Sequence, residues 1–361
     1  MPSSIDRVFS AIGLEEPDRI PLGDVDVATS VVEEVIGRRL SSEAEKAKAL
    51  VKLGFDLVVI RHRIRGHGQS LLSPDPAGKW EPRWLDEETY VGEWAEVRRV
   101  ATHMHSPIRG MIRNPEYLDS FTPPRPDEPG RIDPVIEVLA AVGEDAPVFA
   151  LLHDAFELPW IMLGSIQRLL VEYHRRPRFA QKLAEISTDF NVEMAKILLD
   201  AGVHGILTGD DYAFDGGPFM TPAQFDRFVQ PYLKRLIRVV HRRGAPFIKH
   251  TDGDISPILP SLLRAHPDVL NPIQSEAGLS LRQVKNTYGN RVALMGNVDC
   301  STILHFGSPS DVFREVRRCC DEAASGGGYL LSSSNTIYSG TRPENLVSLI
   351  RASRKLGRYY R

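Results

Sequence analysis

Residues 202–254 read GVHGILTGDDYAFDGGPFMTPAQFDRFVQPYLKRLIRVVHRRGAPFIKHTDGD, and this stretch decides the fold. Two apolar runs, GVHGILTGDDYA (202–213) and APFIKHTDGD (245–254), each end in acids or a histidine. Between them Phe225, Phe228, Val229, Tyr232, Leu233, Leu236, Ile237 and Val240 recur at three and four residues, the spacing of one apolar stripe on one long amphipathic helix. Strand, helix and strand in that order bring both polar tips to the same rim of a parallel sheet, the rim where α/β proteins bind ligands. Asp210, Asp211, His250, Asp252 and Asp254 are therefore candidates to converge. Helix caps and turns account for some of these acids, and the remainder suit proton transfer or a divalent cation better than a core.

The same rhythm runs through the chain. Eight apolar runs recur: RIPLGDVDV (19–27), FDLVVIR (55–61), VFALLHDAF (148–156), GVHGILTGD (202–210), PFIKHTD (246–252), VLNPIQS (269–275), RVALMGNVD (291–299) and GYLLSSSN (328–335). Their hydrophobicity is continuous rather than alternating, as in strands buried on both faces under a cover of helices. Helix starts are marked by Thr221-Pro222 with Gln224, by Ser308-Pro309 with Asp311, and by Thr341 with Glu344. Eight strand-helix units predict an α/β chain folded as a (β/α)8 TIM-type barrel, a single domain over 1–361, with an open doubly wound sheet as the alternative. Residues 72–135 fall outside the rhythm. There Trp80, Trp84, Tyr90 and Trp94 among charges suggest an inserted hairpin after strand 2, followed by an irregular loop, either a lid, a partner surface or simple packing on the barrel.

Composition narrows the function classes. With 42% hydrophobic and 25% charged residues and a net charge of −3, the chain reads as a globular enzyme without the basic footprint of a nucleic-acid binder. Cys300, Cys319 and Cys320 are too few for a disulfide framework and point to a reducing compartment. Neither a secretory signal nor an apolar run of about 18 residues is present, so no membrane partner and a cytoplasmic location are expected. Arg61, Arg63 and Arg65 form a basic trio suited to an anionic substrate, and His103 with His105 is a close pair with the spacing of an accessory metal site.

Four segments in this order resemble one family: GDDYAFDGGPFMTPAQFDRFVQPYLKRL, GAPFIKHTDGDI, YGNRVALMGNVDCSTILHFGSPSDV, and GGGYLLSSSNTI followed by PEN at 343–345. They resemble the uroporphyrinogen decarboxylase superfamily, which also contains corrinoid-linked methyltransferases. The resemblance spans nearly the whole chain and implies a (β/α)8 barrel with its cleft at the C-terminal strand ends. It also separates the branches. Where true decarboxylases of the family hold the pyrrole NH groups with an aspartate after the second strand, this chain has Arg63; their tyrosine after the third strand is matched by Ser165 and their histidine after the eighth by Asn335. The arginine-rich segment after their first strand is missing from IPLGDVDVATS. Zinc-dependent methyltransferases of the family carry His-x-Cys after the fifth strand and a further Cys after the eighth. Here the sequence is His250-Thr251-Asp252 and Ser332-Ser333-Ser334.

The resemblance implies a methyltransferase that moves a methyl group from an O-methyl or N-methyl small molecule to a corrinoid carried by a partner protein, the departing group being neutralised either by a metal such as zinc or by a positioned proton donor. Its rivals are uroporphyrinogen decarboxylase itself, a metal-free carboxy-lyase anchored by Arg63, and a non-catalytic barrel that binds a tetrapyrrole. The catalytic candidates are His250, Asp252, Asp210 and Asp211, and the metal candidates His250, Asp252, Glu276 and Cys300. Arg61, Arg63, His153, Gln274, Asn297 and Asn335 are the substrate-binding candidates. The partners expected are the small-molecule substrate, a corrinoid-binding protein and a second copy in a homodimer.

Overall fold

In the computed structural model, which describes residues 2–63, 83–99 and 107–358, the apolar runs become short strands laid side by side. The described residues contain β1 (Val58–Arg61), β2 (Arg83–Trp84), β3 (Thr89–Val91), β4 (Glu96–Arg99), β5 (Pro107–Gly110), β6 (Val148–Leu152), β7 (Gly205–Thr208), β8 (Ala213–Phe214), β9 (Gly217–Pro218), β10 (Phe247–His250), β11 (Val269–Asn271), β12 (Ala293–Val298) and β13 (Tyr329–Ser333). Seven form one parallel sheet in the order β1-β6-β7-β10-β11-β12-β13. Spatial order equals chain order, so each connection is a crossover to the next strand and the helices lie outside. A sheet that keeps turning one way is consistent with a TIM-type barrel.

Packing identifies the interior face. Leu57, Val59, Phe149, Leu151, Leu207, Ile248, Val269, Ala293, Met295 and Leu330 pack as one cluster, separate from the main core, together with Val8 and Ala11 of the helix Ser4–Ile12. Strands give alternate residues to it, the mark of the space a curled sheet encloses. The helix stoppers that space at the N-terminal end, where Ser4 and Arg7 hydrogen-bond to Asp56 just ahead of β1. Continuing the alternation past the strand ends assigns Arg61, His153, Asp211, His250, Asp252 and Asn271 to the interior face. Asp154, Asp210 and Lys249 fall on the face toward the helices.

The run 19–27 differs from the strand expected there. It is extended chain with isolated parallel bridges, Leu22 to Leu331 and Val27 to Ile337. Even so it joins both sheet edges: the Leu22 carbonyl accepts from Asp56 N at 2.7 Å beside β1, while Gly23 N donates to Leu331 O at 3.0 Å and Leu331 N to Pro21 O at 2.9 Å on β13. Pro21 has no N–H, and that of Leu22 is taken by the Asp56 carboxylate at 2.9 Å, so a regular ladder cannot form.

The helix expected between β7 and β10 is two helices, Pro222–Phe228 and Gln230–His241, broken at Val229. Pro231 sits at the start of the second, and without an N–H it cannot continue the first. Thr221 and Ser308 form complete capping boxes with Gln224 and Asp311. Thr341 does not cap its helix; Arg342 is the N-cap and Pro343 the first helical residue. Within the stretch 72–135, β2 to β5 make a four-stranded antiparallel sheet. Trp94 anchors it edge-on to Phe190, with ring centroids 5.0 Å apart. Gly110 lets β5 approach the helix Glu157–Leu163 so closely that a Cβ there would lie 2.0 Å from Met162 O. Arg65, Trp80, His103 and His105 lie outside the described residues. Among those described, no helix is long and apolar enough to cross a membrane.

Candidate active site

β10 carries His250 to the rim with the imidazole oriented by a neighbour. Asn271, at the end of β11 in register with His250, donates its Nδ2 to Met295 O at 3.0 Å and to Ser332 Oγ at 3.3 Å. A carbonyl only accepts, so the amide is fixed with Oδ1 toward His250, 2.5 Å from Nδ1. Nδ1 therefore carries a proton, and Nε2 is the nitrogen that faces the cleft. Two carboxylates face Nε2, Asp252 at 3.5 Å and Asp211 at 4.0 Å. Asp211 also accepts from Asp252 N at 2.9 Å, and Asp252 accepts from Asn335 Nδ2. The other Asp252 oxygen, Oδ1, is buried and has no hydrogen-bond partner. Burial, with Asp211 adding to it and His250 opposing it, pushes the Asp252 carboxyl up to about 6.

A second group lies on β1, β6 and β7. Arg61 donates to His153 Nε2 at 3.1 Å, so that nitrogen accepts and Nδ1 holds the ring proton, facing Asp210 at 3.1 Å and Glu157 at 3.2 Å. Burial works against a second proton on His153, but Glu157 and Asp210 outweigh it and push the imidazole up to about 9; taking that proton would cost the Arg61 contact. Asp210 is fully buried and accepts from the backbone N–H groups of Asp154, Phe156 and Glu157 at 3.1, 2.9 and 2.7 Å. Although burial opposes its charge, His153 and Lys249 hold its carboxyl far below the usual range.

Behind this group, toward the helices, Lys249 is completely buried. Its ammonium donates to Asp154 Oδ2 at 2.9 Å and Asp210 O at 2.8 Å, and lies 4.2 Å from the Tyr212 ring centroid. Tyr212 OH donates to the same Asp154 oxygen at 2.7 Å. Asp154, raised by burial and by Asp210 to about 7, thus has two donors on one oxygen. The network ties together the tips of β6, β7 and β10. Lys249 and Glu157 escaped the sequence reading, though a lysine inside an apolar run and a glutamate four residues after His153 were visible signals.

The other candidate residues spread around the rim. Gln274 accepts from Gly253 N at 2.8 Å. Ser334 Oγ meets Glu276 at 2.6 Å and Cys300 Sγ at 3.3 Å, so these two expected metal ligands share a neighbour but stand outside the His250 group. Burial pushes the Cys300 thiol up. Asn297 is fully buried and spends its amide on Ile273 O at 2.7 Å and Arg318 at 3.0 Å, facing protein rather than cleft. Arg63 is partly buried, and its NH1 has no hydrogen-bond partner.

Among the described residues, two sets of donors are spaced to hold a cation: Asp211, His250 and Asp252, and His153, Glu157 and Asp210, each within 4.8 Å. Their chemistry separates them. In the second set Nε2 of the imidazole is occupied by a guanidinium and the Asp210 carboxylate by three backbone N–H groups. The first offers Nε2 of His250 and an unpartnered buried carboxylate oxygen, a nitrogen and oxygen donor set that zinc accepts with a coordination position left open.

The uroporphyrinogen decarboxylase (URO-D) family model matches residues 98–356. Among curated relatives, a uroporphyrinogen decarboxylase of Syntrophotalea carbinolica is 27% identical over 52% of this chain and 50% of its own. A methylated-thiol–coenzyme M methyltransferase of Methanosarcina mazei is 25% identical over 72% of this chain and 69% of its own. The chain spans about half the length of the curated decarboxylases it matches. A solved structure titled as a methyltransferase from Methanosarcina mazei superposes with a TM-score of 0.74 at 19% identity, covering 98% of this chain and 99% of that one. At that identity the likeness shows a shared fold.

Proposed function

Because the chain belongs to the uroporphyrinogen decarboxylase family, we propose that it is a methyltransferase of that family, a single barrel domain that transfers a methyl group from an O-methyl or N-methyl small molecule to a corrinoid on a partner protein. The observation that carries this reading is His250 Nε2 facing Asp211 and Asp252. In the reaction the bond from the methyl carbon to oxygen or nitrogen breaks, the corrinoid supplies the electron pair for the new bond to carbon, and the departing atom keeps its pair and takes one proton. A zinc ion held by His250, Asp211 and Asp252 would supply Lewis-acid stabilisation of the departing atom. Without it, Asp252 has the raised affinity for a proton that a general acid needs. Asn271 keeps Nε2 pointed at that atom in either case, and Asp210, Lys249 and Asp154 fix the strand tips. The methyltransferase relative and the loss of the decarboxylase residues at Arg63, Ser165 and Asn335 support the assignment.

The lyase reading is favoured by one observation, the buried Arg63 NH1 without a hydrogen-bond partner among the described residues, which suits a carboxylated substrate. Two measurements separate the readings: carbon dioxide release without any corrinoid, and methylation of cob(I)alamin by a panel of O-methyl and N-methyl compounds, followed by its absorbance. Methylation is expected, falling by at least about 100-fold in His250→Ala. Carbon dioxide release with unmethylated cob(I)alamin would replace it with the lyase.

A further inference from the structure

Buried guanidinium groups in this protein are neutralised by carboxylates. Arg7 pairs with Asp18 at 2.7 Å and Asp56 at 2.8 Å, Arg19 grips Asp56 with two contacts of 2.7 Å, Arg98 meets Glu96 at 2.9 Å, and Arg131 holds Glu93 at 3.0 and 2.8 Å and Glu128 at 2.7 Å. Removing a guanidinium from water without a counter-ion is costly, so this pattern is what the physics requires.

The two arginines at the tip of β1 depart from it. Arg61 has a single hydrogen bond among the described residues, to Nε2 of His153. Arg63 NH1 is buried with no partner. Its backbone is pinned on both sides by Arg131, with Arg63 N donating to Arg131 O at 2.9 Å and Arg131 NH1 donating to Arg63 O at 3.1 Å. Between them His62 is kept neutral, by burial first and then by the positive charge of Arg131 and Arg61. Glu157, Asp26 and Asp210 act on the charge of Arg61, but no carboxylate is hydrogen-bonded to either guanidinium among the described residues.

Both arginines follow Val59 at steps of two, and Val59 packs with the interior cluster, so they share the face that carries His250. β1 and β10 are three strand spacings apart in the sheet order, about 14 Å along the sheet. We propose that Arg61 and Arg63 form a carboxylate subsite, so that the methyl donor is a small organic acid held by its anionic end at β1 with its methyl group at His250 and Asp252. The β10 half of this statement rests on the methyl-transfer reading; the subsite at β1 stands without it. A carboxylate gripped by guanidinium groups is stabilised as an anion and thereby held back from leaving as carbon dioxide, so it serves as a handle in either reading, and a lyase would have to remove a different carboxyl group.

The test uses matched probes on the full chain at constant ionic strength: benzoate against benzamide and acetate against acetamide, with binding measured by calorimetry and by thermal shift. The expected result is that each acid binds roughly 10- to 100-fold tighter than its amide, that Arg63→Gln removes most of this difference and Arg63→Lys only part, and that zinc affinity stays unchanged in both variants, which shows an intact fold across the barrel. Equal or absent binding of acid and amide overturns the proposal, as does an acid preference that survives in Arg63→Gln. Inorganic phosphate displacing benzoate more strongly than acetate does would overturn the carboxylate assignment. Because these are binding readouts, failure of methyl transfer with the acid preference intact would fall on the proposed reaction alone.

Discussion

His250 Nδ1 lies 2.5 Å from Asn271 Oδ1, and this contact decides which imidazole nitrogen faces the cleft. Asn271 is itself locked by the Met295 carbonyl, so the tautomer is set by the backbone of β12, two strands away. Substituting Asn271 by Leu removes the acceptor and leaves a buried N–H unpaired. We expect zinc affinity to fall about 10- to 100-fold and stability by about 1–3 kcal/mol, measured by competitive chelation and denaturant unfolding. Unchanged zinc affinity would remove Asn271 from the site.

Asp252 titrates in a useful range. Its carboxyl is raised in the folded protein to about 6, so it is protonated below that pH and becomes a ligand only above it. Zinc affinity is expected to climb as pH rises through about 6 and then level off. Asp211 is one of the groups that raise Asp252, so Asp211→Asn should move the midpoint to lower pH even as it weakens binding. A midpoint that stays put or moves upward contradicts the arrangement.

Lys249 and Asp154 form an ion pair with both side chains at most 1% exposed. Changing Lys249 to Met strands a buried carboxylate and is expected to cost about 3–5 kcal/mol in chemical denaturation. The double change Lys249→Met with Asp154→Asn should recover a large part of that, because no unpaired charge remains. Equal losses in the single and double variants would show that packing, not charge, sets the cost.

Much of this site was legible in the sequence because strand periodicity places side chains without knowledge of their neighbours. His250 and Asp252 are two residues apart in an extended run and had to share a face, and the polar tips of β7 and β10 had to meet at one rim. Which of the adjacent Asp210 and Asp211 faces the cleft was not legible. That depends on the phase of β7, set by Leu207 packing inward, and on the amide groups of 154, 156 and 157 that claim Asp210. Asn297 read as a rim residue but is consumed by Ile273 and Arg318, since contacts to a helix about 20 residues downstream leave no local signature. The irregular course of residues 19–27 likewise follows from Asp56, which takes the N–H of Leu22 from 34 residues away. The break at Val229 was legible in principle, because Pro231 was in view while the apolar stripe ran through it unbroken.

His250, Asp211 and Asp252 should behave as one site when the purified, chelator-stripped protein is titrated with zinc. One zinc per chain is expected, with binding weakened by at least about 10-fold in each of His250→Ala, Asp211→Asn and Asp252→Asn and left intact in Glu157→Gln, which belongs to the other donor group. Zinc that fails to bind, or binds equally well to all four variants, would show that the three residues do not act together.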